Sequence, residues 1–304
     1  MKAPNIDSVY PKLIKSVLKQ GKEYEPRGMK VKEIYNVSFK INDARACIIT
    51  NPYRKFHLPY AIIEMLGLFQ NGAYNVEPYT WYCNNMKSFI NPETGLWDAS
   101  YATRLTEHKQ LEEMFNILRA DPDSRRAVIQ IYTPQEDFHN YESKDIACTL
   151  SLIFRLREGK LNMTSTIRGN DVMLGVGYDA TQYVFLQSVL ACWLGVEVGE
   201  WSHFAANMHA YERDWGKLKT IATEKWPADF KPRWKKMPEW DVQDIRETFL
   251  QIKRFFAMEK EFRSCIAKNI QTDIPILFER YKITSKFLKN AFLDILLPYI
   301  LKKS

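Results

Sequence analysis

Among the five cysteines of this 304-residue chain, Cys148 has the setting best suited to chemistry. A loop rich in Asp, His and Asn precedes it and a β-rich run follows, which puts it at a strand edge. A thiolate there is a soft nucleophile, and neighbouring arginines would stabilise it. A cysteine viewed alone is as readily an inert buried thiol, the reading kept for Cys47, Cys83, Cys192 and Cys265. Arg125 and Arg126 are adjacent, either a solvated charge pair or two guanidinium forks matched to a phosphate. Glu64 lies in Ile-Ile-Glu-Met-Leu, where apolar neighbours leave little room for a solvated face. A carboxyl there is costly to bury and favours acid–base work over decoration.

The formal charge of +7 suggests an anionic partner: nucleic acid, a membrane surface or a phosphorylated small molecule. An odd number of cysteines without C-x-x-C spacing argues against a disulfide framework or zinc ribbon, and no metal is expected. The N-terminus has no apolar signal core, and the apolar stretch near the C-terminus is broken by Asp294 and Pro298. A soluble, cytoplasmic protein without a membrane partner is the expectation.

Several elements must position these groups. Apolar spacing predicts helices over 9–22, 59–70 and 105–120, with a polar surface stretch over 71–97. Strands are predicted over 32–41 and 127–132, and over 150–156 and 161–167 around an Arg-Glu-Gly-Lys hairpin. A long buried helix is predicted over 179–194. After Trp226 the composition shifts, and 242–270 and 274–301 read as helical. The chain is therefore divided at 1–226 and 227–304, the second part a helical extension packed on the same domain. Strands and helices mix without strict alternation, which favours α+β around a mixed sheet.

Four motifs stand in order: Asp-Pro-Asp-Ser-Arg-Arg (121–126), Cys-Thr (148–149), Arg-Gly-Asn-Asp-Val-Met-Leu-Gly (168–175) and His-Ala-Tyr (209–211). With Pro-Arg-Gly (26–28) and the Glu64 segment, they make residues 21–219 resemble the thymidylate synthase family. The resemblance implies that family's three-layer fold and 5,10-methylenetetrahydrofolate as co-substrate. It makes Cys148 the nucleophile that adds to C6 of a pyrimidine nucleoside monophosphate. It also implies a homodimer in which Arg125 and Arg126 reach the phosphate of the partner's site, beside Arg27 and Arg168 of the same chain. Gly169 stands where the family usually has a phosphate-binding serine. By the same resemblance His209 and Tyr211 bind the sugar, Tyr101 helps remove the C5 proton, and Glu64 organises water. Asp171, Leu174, Gly175 and Tyr178 would line the folate side.

Position 179 departs from the synthases, which carry asparagine there to read uracil. Asp179 resembles the deoxycytidylate and cytidylate hydroxymethylases. A carboxyl can accept from the N4 amino group of cytosine and share a proton with N3. Asp179 also opens the predicted helix, so an ordinary N-cap is the competing reading. The implied activity is transfer of a one-carbon unit to C5 of dCMP or CMP, with water giving the 5-hydroxymethyl nucleotide. A C5 methylase of dCMP or dUMP is the alternative. A nucleic-acid-binding protein on an inactive scaffold, using the basic C-terminal region, ranks below both.

Overall fold

The computed structural model describes residues 1–70, 75–106, 109–138, 141–232, 235–242, 244–268 and 291–302. The first elements are β1 (Lys2–Ala3), α1 (Ile6–Gln20), β2 (Lys22–Tyr24), β3 (Val31–Ile41), α2 (Leu58–Gly67) and α3 (Glu77–Tyr82). Next come α4 (Tyr101–Thr106), α5 (Gln110–Ala120), β4 (Val128–Gln130), α6 (Pro134–Asp137), β5 (Thr149–Arg157) and β6 (Lys160–Ile167). The rest are β7 (Asn170–Asp171), α7 (Gly175–Leu194), β8 (Glu197–Tyr211), α8 (Trp215–Thr223), α9 (Ile245–Ala267) and α10 (Ala291–Lys302).

The strands form one eight-stranded sheet in the order β1-β3-β8-β6-β5-β4, with β2 on β3 and β7 on β8. It is mixed: β8 runs parallel to β6 and β7 but antiparallel to β3. The α+β class with a mixed sheet is therefore the observed one. Helix α1 starts where the Asn5 side chain accepts from Ser8 N at 2.9 Å, and it buries Ile6, Val9, Leu13 and Val17 on one stripe. Helix α7 is buried almost all round, as a helix sandwiched between layers must be. It stops at Gly195, whose φ of 67° suits a residue without Cβ.

Two predicted boundaries are corrected. The helix predicted over 105–120 is split, because Lys109 adopts left-handed φ of 55° immediately before α5. Helix α7 begins at Gly175, so Asp179 lies inside its second turn and is not an N-cap. The long strand β8 was not anticipated. Its buried positions include His203, Ala205 and Ala210, and its alternation slips by one between Ala205 and Met208. That slip lies level with Asn36 of β3, whose φ is 55°, and with the register shift between Thr149 and Ser151 in β5. One line of irregularity thus crosses the sheet and turns Asn207, His209 and Tyr211 out of the core.

One sheet face carries Phe39, Phe154, Met163 and Trp201 against the helices. The opposite face presents Ser151, Ile153, Thr164, Thr166, Ser202 and Phe204, all partly open to solvent. Beyond residue 226, Thr248 of α9 accepts from Trp193 Nε1 at 2.9 Å, and Phe249 meets Phe69 edge-on at 5.9 Å. Helix α10 brings Tyr299 to Tyr82 and His57, at ring separations of 5.5 and 4.9 Å. Most of the segment predicted helical over 274–301 lies outside the described residues. Among the described residues no helix is long and apolar enough to cross a membrane.

Candidate active site

Cys148 immediately precedes β5 and is exposed, whereas Cys47 is fully buried. Its loop is shaped by Arg168 at the end of β6. The Arg168 guanidinium donates from Nε to Ala147 O at 2.8 Å and from Nη2 to Ile146 O at 3.0 Å. The Arg168 amide donates to Cys148 O at 2.9 Å. The thiol itself lies 3.8 Å from Ile146 O. Surrounding protein pushes its pKa up, Arg168 and Arg27 pull it down, and Asp179 and Asp145 push it up again. The resting group is a thiol with cations beside it, ready to ionise as it bonds to an electrophile.

Asp179 faces this thiol from α7. Asn170 Nδ2 donates to its Oδ2 at 2.9 Å, and the Tyr183 hydroxyl approaches Oδ1 at 3.4 Å. Burial raises the Asp179 pKa to about 7 against the lowering effect of those two bonds. Tyr183 also bonds the Thr149 hydroxyl, which accepts from Tyr101 OH at 3.1 Å. Tyr101 is pushed well above its ordinary pKa by burial, so its phenol stays protonated and ties α4 to β5. Glu64 of α2 accepts from Tyr60 OH at 2.6 Å, and the Gln182 side chain of α7 is its second polar neighbour. Burial raises its pKa to about 8.

The sugar and phosphate candidates divide into two groups. Arg27 sits exposed on the turn Pro26–Gly28 with φ of 54°, and its charge reaches both Cys148 and His209. His209 Nδ1 lies 3.0 Å from Asn207 Oδ1, and burial lowers its pKa to about 4, with Arg168 and Arg27 adding to the shift. Its ring is therefore neutral, and Nδ1–H donation to Asn207 leaves Nε2 as an acceptor. Tyr211 stacks edge-on to His209 at 5.3 Å and lies under Arg213 at 4.4 Å. A Cβ placed on Gly169 would stand 4.0 Å from His209 Cε1, so the missing serine is not a matter of space. Arg125 and Arg126 are not brought to this cluster. They are exposed before edge strand β4, on a loop held by Arg157 through Pro122 O and Asp123 O, and neither guanidinium has a partner among the described residues.

Beside the thiol cluster, Asp171 accepts from Met173 N at 2.7 Å, and burial raises its pKa to about 6. Leu174 is 47% exposed, and Tyr178 packs on Phe56 at 4.8 Å and on Tyr60 at 5.3 Å. Gly175 lets Asn170 approach, because a Cβ there would lie 2.2 Å from Asn170 Oδ1. Asp171, Leu174, Gly175 and Tyr178 run from β7 into the first turn of α7, where Tyr178 lies close to Glu64. A family model described as thymidylate synthase matches residues 8–255, which takes in every one of these groups.

The chain belongs to the thymidylate synthase family. A deoxyuridylate hydroxymethyltransferase of Bacillus phage SP01 is 31% identical over 230 residues, covering 71% of this chain and 60% of that protein. One of the same name from Pseudomonas phage M6 is 32% identical over 178 residues, 57% of this chain and 48% of that protein. A putative thymidylate synthase of Methanocaldococcus jannaschii is 28% identical over 238 residues, 74% of this chain and 96% of that protein. The chain therefore spans about half to three-fifths of the phage relatives it matches.

In this member of the thymidylate synthase family, several cleft residues were missed by sequence reasoning. Tyr60 and Tyr183 stand four residues from Glu64 and Asp179, a spacing that shares one helix face and would have flagged both pairs. Asn170 was visible inside a motif but carried no assigned task. Asn207 had no local signal, since the slip in β8 is what turns it toward His209.

The raised Glu64 pKa has a consequence for stability. A carboxyl whose folded pKa exceeds its unfolded value contributes fully below the unfolded pKa, and that contribution is lost as pH rises through the folded pKa. Glu64→Gln removes the titration, so its melting temperature relative to wild type should climb between pH 4.5 and about 8 and level off above. Thermal melts across that range check it; a difference independent of pH contradicts the buried acid.

Proposed function

We propose that this protein transfers a one-carbon unit from 5,10-methylenetetrahydrofolate to C5 of dCMP or CMP, and that water addition yields the 5-hydroxymethyl nucleotide. The observation that carries the reading is the exposed Cys148 thiol beside Arg168 with the proton-holding carboxyl of Asp179 opposite. Cys148 sulfur bonds to C6, and the electron pair of the C5–C6 double bond moves to C5. Asp179 accepts from the N4 amino group and shares its proton with N3, which offsets charge building on the ring. C5 thereby becomes nucleophilic enough to take up the methylene unit. Its hydrogen then leaves as a proton to solvent beside the Tyr101 hydroxyl, and tetrahydrofolate departs from the methylene carbon. Water adds to that carbon with loss of a proton, and the Cys148 sulfur leaves C6 as the C5–C6 double bond re-forms.

Asp171, Leu174 and Tyr178, with the Glu64 carboxyl beside Tyr178, suit a flat heterocycle with N–H donors. When bound there, the folate supplies an electrophilic one-carbon unit and leaves as tetrahydrofolate. Glu64, mostly protonated at neutral pH, can pass a proton to the departing nitrogen or order the water that follows. The neutral Nε2 of His209 suits a sugar hydroxyl donor, and Arg27 with Arg168 suits the phosphate.

A second reading is favoured by the relatives named for deoxyuridylate. A protonated carboxyl has the same donor–acceptor pair as asparagine, so Asp179 in that form accepts from uracil N3–H and donates to O4. Tritium release from C5-labelled dCMP, CMP and dUMP, with product masses, separates the cases. The expected result is hydroxymethylcytosine nucleotide and tetrahydrofolate, abolished by Cys148→Ala. A methylated product with dihydrofolate, or turnover of dUMP alone, contradicts it.

The partly open sheet face is flat, mostly small and polar around Phe204, and suits a second copy of itself. In such a homodimer Arg125 and Arg126, which lack partners among the described residues, would reach the other subunit's phosphate. Mixing inactive Arg126→Ala and Cys148→Ala variants should then restore about a quarter of wild-type activity, because random exchange gives one intact site in half of the dimers. Absence of recovery under conditions where exchange is verified contradicts a shared site.

A further inference from the structure

Behind Asp179 runs a buried chain of polar side chains that the reaction itself does not touch. Trp201 Nε1 donates to Ser165 Oγ at 3.0 Å, and Ser165 Oγ lies 2.9 Å from His203 Nδ1. His203 Nε2 stands 3.3 Å from Asn170 Nδ2, the same nitrogen that donates to Asp179 Oδ2. All four of these supporting residues are 2% exposed or less. Burial alone lowers the His203 pKa to about 3, and its ring is stacked on Phe39 at 4.9 Å. The histidine is neutral and holds one proton.

The polarity of the chain follows from this geometry. Asn170 Nδ2 has two hydrogens and two acceptors in reach, His203 Nε2 and Asp179 Oδ2. His203 must then carry its proton on Nδ1 and give it to Ser165 Oγ, whose second lone pair takes the Trp201 N–H. With Asp179 Oδ2 accepting, a flipped amide would set Asn170 Oδ1 against a carboxyl oxygen, so Nδ2 is the atom that faces both acceptors. Asn170 Oδ1 instead points at the α-carbon of Gly175, where a Cβ would lie only 2.2 Å away, and it has no partner among the described residues. His203 and Gly175 together hold the asparagine as a donor.

We infer that Asn170, locked by His203, is a positioning residue that sets base preference: it keeps Asp179 Oδ2 an acceptor for the cytosine amino group and leaves Oδ1 to carry the proton shared with N3. Uracil needs the reverse pattern, a proton toward O4 and an acceptor toward N3–H, and so meets the wrong end of the carboxyl. The inference rests on the reading that Asp179 faces the base. The other groups facing Asp179 are Asp171 from β7, Glu64 from α2, Cys148 before β5, Tyr101 from α4 and Tyr183 on α7. None of them donates to Oδ2; Tyr183 approaches only Oδ1, at 3.4 Å and while also bonded to Thr149, so the 2.9 Å bond from Asn170 is the stronger distinction between the two oxygens.

The test is the ratio of kcat/KM for dCMP over dUMP by C5-tritium release from pH 5.5 to 9, in wild type, Asn170→Ala, His203→Gln and Asp179→Asn. Asn170→Ala should lower the ratio roughly tenfold or more and move the Asp179 limb of the profile to higher pH, about a unit of pKa being tenfold in protonation. His203→Gln, whose amide oxygen offers the same acceptor, should keep both within a few-fold of wild type. If Asn170→Ala does not fold, Gly175→Ala displaces the amide instead and carries the same expectation. An unchanged ratio and limb in the asparagine variant, while Asp179→Asn shifts preference toward uracil, overturns the inference and leaves the proposed function standing. A preference unmoved by Asp179→Asn overturns both.

Discussion

The site is organised by a guanidinium that spends part of itself on backbone. Two carbonyls just before Cys148 would otherwise face a polar cleft without fixed partners, and Arg168 binds both. The same side chain then presents its remaining donors and its charge beside the thiol. Structural and chemical tasks are joined: the loop cannot place the sulfur without the arginine, and the arginine is fixed in direction by the loop. Charge-assisted bonds of this kind are about twice as strong as neutral ones, which suits a loop that must hold against an exposed, reactive group.

Around this cation stand carboxyls whose pKa burial raises. Asp171 and Asp145 are raised to about 6, Asp179 to about 7 and Glu64 to about 8. Were they all ionised, they would repel one another and oppose formation of a thiolate. Desolvation limits this by keeping Glu64 mostly protonated and Asp179 near half-protonated at neutral pH, so the wall offers proton donors as well as acceptors. Hydroxyls of Tyr60, Tyr183, Thr149 and Tyr101 link those acids to the strands and fix the direction in which each proton points.

Much of this was legible in the chain. Cys148, Arg168, Asp179, Glu64 and His209 were each picked out by residue type and neighbours, and the mixed sheet by strands and helices that lack strict alternation. What escaped were features that exist only once strands are aligned. Strand β8 hides its alternation behind buried His203 and two alanines, and its slip at residue 206 has no compositional mark. Helix α7 starts earlier than its apolar pattern because Gly175 opens it. That displacement matters, since it removes the capping explanation of Asp179 and leaves a carboxyl inside a buried helix needing another reason to be there. Asn170 and Asn207 act through neighbours far away in sequence, which no local pattern reports.

The most direct measurement is the intact mass, with peptide mapping, of protein incubated with 5-fluoro-dCMP and 5,10-methylenetetrahydrofolate. Fluorine at C5 cannot leave as a cation, so the reaction should halt with sulfur still bonded to C6 and the one-carbon unit attached. The account predicts a stable adduct carrying both small molecules, located on the peptide that contains Cys148. Unmodified protein, or label on another cysteine, would contradict it.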